Sequence, residues 1–357
     1  METVGLYFNV SPSPAPRVSE TPGSSAVLPY TRELSIGLRV LAPLWPVIIT
    51  FGYISNTINI IVFIKAGVKE NVTTLLLSLA ISDLTFLILI TPTMCGIFIK
   101  GWGPDHSWPF DYKFSYFLFY WPAFTAYDLS ALISVSLGVM RCACVSMPLK
   151  FKMVFTKSRT VKWVMFLVVL AVAIRAPVLT IFRVAHKRDP KTNVSTPVVI
   201  AVNLVAMTRI NDVMNRGFVI WFNYITMVTC VIVLTYKLRQ AAKIRRSCTT
   251  GNKSAQASEK TDANSHQTKD LQVIKSVVLI CTIFILSQML FLLVSTLRLA
   301  DSNFAANKEL GNLFTLISQT SLTLSYLNAS LNIFVYYNFN SKYRSTFLTL
   351  FDFKQAA

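Results

Sequence analysis

At 357 residues with a formal charge of +18, a soluble chain would divide into two or three domains with a strongly basic surface. The composition excludes that: 53% of the residues are apolar and 14% charged, and the apolar ones gather in long runs rather than at core-like spacing. Crossing the ~30 Å hydrocarbon layer takes about 20 helical residues, and seven runs reach or approach that length.

Residues 1–40 form a polar tail with Pro and Ser. It lacks the charged start and apolar centre of a cleaved leader, so the first run is expected to direct its own insertion. Asn9-Val-Ser in this tail is a candidate glycosylation site. The seven runs cover residues 41–64, 73–97, 114–139, 161–182, 218–236, 271–297 and 310–337. Backbone groups in lipid have to bond within their own segment, so each run is expected as a helix, and alternating barrel strands are not expected. The fifth and seventh runs are diluted by Asn, Ser and Thr. Two connections are long. An outer loop spans 183–217 and holds the second sequon, Asn193-Val-Ser. The other spans 237–270, is rich in Ser, Thr, Asn, Gln and Lys, and is expected to be solvated and poorly ordered. After the last run, Tyr343, Phe347 and Phe351 recur at i, i+4, i+8 among Lys342, Arg344 and Lys354. That spacing predicts a short amphipathic helix on the membrane surface within residues 338–357. No internal repeat is seen.

Basic residues in a spanning protein mark its cytoplasmic side. The connection after the third run holds Arg141, Lys150, Lys152, Lys157, Arg159 and Lys162 and no acid. The 237–270 connection is also basic. Both are therefore placed inside, with the amino terminus outside and the carboxyl terminus in the cytosol. The basic outer loop, with Arg183, Lys187, Arg188 and Lys191, is the exception. Positive charge is thus accounted for by topology, so the expected surroundings are membrane lipid and not nucleic acid. Of six cysteines only Cys95 lies near the outer face, so no extracellular disulfide within the chain is expected.

Polar groups inside lipid are costly and need a reason. Asn56 lies in the first run, Asp83 mid-run in Leu79-Ala-Ile-Ser-Asp-Leu84, Ser130 in the third, and Asn328 and Asn332 in the seventh. The third ends in Met140-Arg141-Cys142, with Pro148-Leu149 seven residues after the Arg. The seventh ends in Asn332-Ile-Phe-Val-Tyr336. In this order and spacing the chain resembles the rhodopsin-like G protein-coupled receptors, which carry an asparagine, L-A-x-x-D-L, D/E-R-Y followed by Pro-Leu, and N-P-x-x-Y in those spans. The likeness covers residues 41–351. Several family residues are replaced: the acid before Arg141 by Met140, the seventh-span proline by Ile333, the sixth-span C-W-x-P by Ser287-Gln288-Met289-Leu290, and the third-span cysteine by Tyr116. No proline occurs in the last three spans, so proline kinks are not expected there. Arg141-Cys-Ala-Cys-Val145 and residues 148–160 are similar to a divergent gastropod group described as chemosensory-receptor-like.

The resemblance implies an all-α bundle of seven membrane helices followed by the amphipathic helix. It also implies a plasma-membrane receptor that passes an extracellular signal, from a chemosensory or neuropeptide ligand, to a heterotrimeric G protein. Asp83, Asn56, Ser130, Asn328 and Asn332 match positions that line a sodium and water site, and one carboxylate among neutral oxygens suits a hard monovalent cation. No cofactor is expected beyond such an ion. Arg141 matches the arginine that reaches the G protein, Tyr336 closes the seventh-span motif, and Asp270 falls where an acid faces that arginine. Where aminergic receptors carry an aspartate, eighteen residues before the Arg, this chain has Ala123.

Asp128 and Arg175, in the third and fourth runs, lie on facing sides by register. They form either a structural ion pair or separate sites with Arg175 turned to a ligand cavity. Tyr116, Trp121, Phe124 and Tyr127 with Gln288 and Phe291 are candidates for lining that cavity, or pack as ordinary span aromatics. No phosphate-binding loop, metal cluster or catalytic dyad appears, so an enzyme is not expected. A secondary transporter or channel is the rival from another class, and it would show related halves and broken midplane helices.

Overall fold

The computed structural model describes residues 41, 43–68, 70–101, 116–147, 151, 153–188, 195–251, 259–301, 303–304 and 308–351. Its helices are α1 (Leu44–Ala66), α2 (Asn71–Gly101), α3 (Trp121–Ser146, entered through a π-helical turn at Tyr116–Tyr120) and α4 (Lys157–Leu179). A hairpin of β1 (Phe182–Arg188) and β2 (Ser195–Ala201) follows. The fifth span joins α5 (Leu204–Asn211), a π-helical stretch at Asp212–Val219 and α6 (Ile220–Gly251). Then come α7 (Glu259–Ala300), the pair α8 (Gly311–Ser330) and α9 (Asn332–Phe339), and α10 (Ser341–Phe351). Among the described residues six helical spans are long and apolar enough to cross a membrane. The seventh, α8 with α9, is more polar and is packed among the others.

Burial runs opposite to that of a soluble protein. Asn56, Asn59 and Ser321 are fully buried and Asp83 nearly so, while Val47, Val169 and Ile232 are more than 60% exposed. Polar side chains that find partners only within the bundle face inward, and apolar ones face where lipid would lie. The core has two parts. One gathers Trp45, Ile49, Phe86, Phe124, Tyr127 and Tyr326. The other gathers Phe63, Leu79, Ile133, Leu137, Phe284 and Tyr336. Helix α3 runs through the middle and packs against α2, α4, α6 and α7. At Gly52 an added Cβ would come within 2.4 Å of Leu87 Cδ1 and Ser330 Oγ. Only glycine lets α1, α2 and α8 approach this closely there.

Four local features depart from expectation. The loop expected over 183–217 is partly folded: β1 and β2 pair antiparallel from Phe182↔Ala201 to Arg188↔Ser195. Val184 and the run Val198-Val199-Ile200 suit a strand, but each strand is too short to show periodicity. The fifth span begins at Leu204, well before residue 218. Asn203, which holds φ at +52°, precedes it, and its carbonyl accepts the amide of Met207 at 3.0 Å. Much of the 237–270 connection is helical, through Gly251 and again from Glu259, because Lys, Arg, Gln and Ala prolong a helix readily beyond the bilayer. Finally, the seventh span breaks at Leu331 without proline. Ser330 Oγ bonds both its own helix at Tyr326 O (2.7 Å) and α1 at Ile48 O (3.2 Å). The next turn tightens, with Phe334 N donating to Leu331 O.

Candidate functional site

The mid-bundle polar residues are carried by five helices, α1, α2, α3, α8 and α9. Ser130 Oγ donates to Asp83 Oδ1 at 2.5 Å, and Asn332 Nδ2 donates to Asp83 Oδ2 at 2.9 Å. One buried carboxylate thereby ties α2 to α3 and α9. Asn56 is held separately: its Nδ2 donates to Gly52 O (3.0 Å) and Ala329 O (2.8 Å), while its buried Oδ1 has no partner among the described residues. Tyr336 OH is likewise buried without one. Asn328 is buried, and no bond to Asp83 is made by it or by Asn56. Of the five residues expected together, three are in contact.

In the outer half, Arg175 grips Asp128 bidentately. Its Nε and Nη2 each donate to a carboxylate oxygen, the second at 3.0 Å. Between the two readings open for this pair, the ion pair is the one formed. The pair belongs to a larger network that includes Asn211 and Asn215. Arg175 Nη1 donates to Asn211 Oδ1 (3.3 Å), which also accepts from Asn215 Nδ2 at 2.8 Å. Those asparagines flank the start of the π-helical stretch and were hidden in the sequence, where Asn211, Asp212, Asn215 and Arg216 read as loop. The guanidinium also lies 5.8 Å from the centre of the Phe124 ring.

Gln288 Nε2 donates to Tyr127 OH, joining α7 to α3. A small cleft beside this bond is lined by Asp128, Asn223 and Phe291 as well as Tyr127 and Gln288. Phe86 packs against Tyr127, Phe124 and Tyr326, with ring centres 4.9 to 6.2 Å apart. Trp121 is buried against Val178 and Ile181, on the α4 side of this group. Tyr116 sits in the π-helical turn before α3, and its side chain lies outside the described residues, as do Asn9 and Asn193.

At the other end Arg141 is half-buried near the end of α3. Asp270 lies within α7, but its side chain falls outside the described residues. Tyr336 and Tyr343 both pack on Phe63, with ring centres 5.1 and 5.2 Å away. Tyr343 OH donates to Asn59 Oδ1 at 2.6 Å and so pins α10 to α1.

Residues 55–336 of the chain match the family described as 7 transmembrane receptor (rhodopsin family). No curated protein matches the chain.

Proposed function

The chain belongs to the rhodopsin family of seven-transmembrane receptors, and we propose that it transmits an extracellular chemosensory or neuropeptide signal to a heterotrimeric G protein at the plasma membrane. It is a multi-pass membrane protein of a receptor family and not an enzyme; a transporter or channel is not favoured. In this proposal the amino terminus and the hairpin face outside and the basic connections face the cytosol. The observation that carries the reading is the buried Asp83 carboxylate holding Ser130 and Asn332 from two other helices. A charge so placed makes the bundle's arrangement depend on polar contacts that a ligand-driven shift of population can exchange.

The inner lock of the proposal pairs Arg141 with Asp270, a charge-assisted contact between α3 and α7. A membrane preparation expressing the receptor at known surface density, assayed for nucleotide exchange against a panel of G protein α subunits, tests both ideas. Exchange above mock-transfected membranes is expected, lost in Arg141→Ala and raised about two- to five-fold in Asp270→Asn, since ~1 kcal/mol of a partly solvated pair is released. Absence of exchange with every α subunit, with or without screened peptides and metabolites, would overturn the receptor reading.

We propose that a sodium ion binds at Asp83. The carboxylate with lone pairs to spare, Ser130 Oγ and the orphaned Asn56 Oδ1 would hold it, with Asn328 a further candidate. Asn332 presents its amide NH₂ to the carboxylate and so steadies Asp83 rather than contributing an oxygen. Replacing choline by sodium at several times its Kd should stabilise the purified receptor by about 1 kcal/mol. Thermal denaturation of Asp83→Asn should show no sodium-dependent shift. An equal shift in that variant would place the ion elsewhere.

A further inference from the structure

A cleft of about 500 Å³ opens on the side of the bundle between α3, α4 and α6. Its walls are Leu132 and Val135 of α3, Trp163, Leu167 and Leu170 of α4, and Phe222 of α6. Three polar groups on these walls, those of Trp163, Ser136 and Thr160, are bonded within the protein. Trp163 Nε1 donates to Ser136 Oγ (3.0 Å), Ser136 Oγ donates to Leu132 O (2.8 Å), and Thr160 Oγ1 donates to Thr156 O (3.1 Å). The space therefore suits hydrocarbon. The side it opens on is apolar too, since Val139, Trp163 and Phe166 are each at least 42% exposed there.

One end of the cleft is cationic. Arg159 is part of its lining, and its Nη1 donates to the carbonyls of Met153 (2.8 Å) and Val154 (3.1 Å). Those two bonds use the hydrogens of Nη1 and hold the guanidinium in place, leaving Nε and Nη2 as donors for another acceptor. Lys157 and Lys162 are exposed on the same helix. The stretch from Arg141 to Lys162 contains six basic residues and no acid. An apolar cleft capped by a fixed guanidinium in an acid-free basic segment is complementary to an amphiphile with a negative head.

We propose that this cleft binds one acyl chain of an anionic phospholipid of the cytoplasmic leaflet, with its phosphate on Arg159. The leaflet, but not the binding itself, rests on the orientation in the receptor reading above. Trp163 lines the cleft and reports its occupancy. The full-length receptor, reconstituted in phosphatidylcholine nanodiscs, is titrated with phosphatidylserine brominated on its acyl chains. The Trp163 contribution is isolated by difference from Trp163→Phe. Quenching is expected to saturate at a mole fraction several-fold lower than for brominated phosphatidylcholine. Arg159→Gln, a surface change, should raise that half-saturation about five-fold, the effect of one basic residue at a charged membrane surface. Thr226→Phe, which adds a ring to the α6 wall, should reduce the maximum quench. Quenching that tracks bulk lipid fraction equally for both headgroups, or that is unchanged in Arg159→Gln, would overturn the proposal. The measurement needs neither signalling nor a defined orientation. Its failure thus leaves the receptor reading standing, and failure of nucleotide exchange leaves the lipid site standing.

Discussion

The Asp128–Arg175 pair is held where water is scarce, with the two side chains only 14% and 6% exposed. Desolvating two charges is expensive, and the attraction between them compensates only because the geometry is bidentate and Asn211 takes a further donor. Removing one partner leaves the other stranded. Arg175→Leu or Asp128→Leu alone should each destabilise the receptor by about 3–5 kcal/mol, whereas the double variant Arg175→Leu with Asp128→Leu should recover much of that loss. Thermal denaturation of the four proteins gives the coupling directly, and additive losses would mean the two charges act separately. Asp128 and Arg175 were visible in the sequence because a charge within an apolar run stands out. Asn211 and Asn215 were not, since neutral amides beside Asp212 and Arg216 look like a solvated loop until the neighbouring helices are known.

Helix ends and connections were the least legible elements. Apolar runs locate the hydrocarbon layer, but they do not report where a helix stops once it leaves lipid, which is why α6 and α7 extend far into the 237–270 connection. The break at Leu331 had no proline to announce it, because it is made by Ser330 bonding backward and across to α1. The amphipathic α10, by contrast, followed from the spacing of Tyr343, Phe347 and Phe351 alone. What the spacing did not reveal is that Tyr343 is fully buried, bonded to Asn59 and stacked near Phe63 and Tyr336. Burial pushes its phenol above the ordinary value near 10. The folded state therefore favours the neutral phenol, and this contribution is complete below pH ~10 and is lost as pH rises above it. A probe on the carboxyl-terminal tail should report release of α10 in that alkaline range. Tyr343→Phe should remove the pH step while costing about 1 kcal/mol for the lost hydrogen bond. A step of the same size in that variant would assign it to another tyrosine.

At the scale of the whole molecule, ligand selectivity is constrained by where the bundle keeps its negative charge. A ligand amine entering between the helices has to give up water, and a carboxylate is the usual compensation. Asp83 carries a carboxylate in mid-bundle, where Ser130 and Asn332 are bonded to it. Asp128 is committed to Arg175, and Asp212 is paired with Arg298 at 3.4 Å. The position from which aminergic members of the family offer their aspartate is Ala123, whose side chain is fully buried between neighbouring helices and has no group to offer. The small cleft near Tyr127, Gln288 and Asn223 presents neutral donors and acceptors beside the committed Asp128. Such groups suit amide, hydroxyl or carbonyl functions better than an ammonium. Serotonin, dopamine, octopamine and histamine should therefore fail to activate the receptor at sub-micromolar dose in a second-messenger assay. Placing an acid at the site, Ala123→Asp, should not by itself create a response, because the new carboxylate would be buried without room for a ligand beside it. A robust sub-micromolar response of the unmodified receptor to any of these amines would mean that Arg175 releases Asp128 on binding, and the neutral-ligand inference would fall.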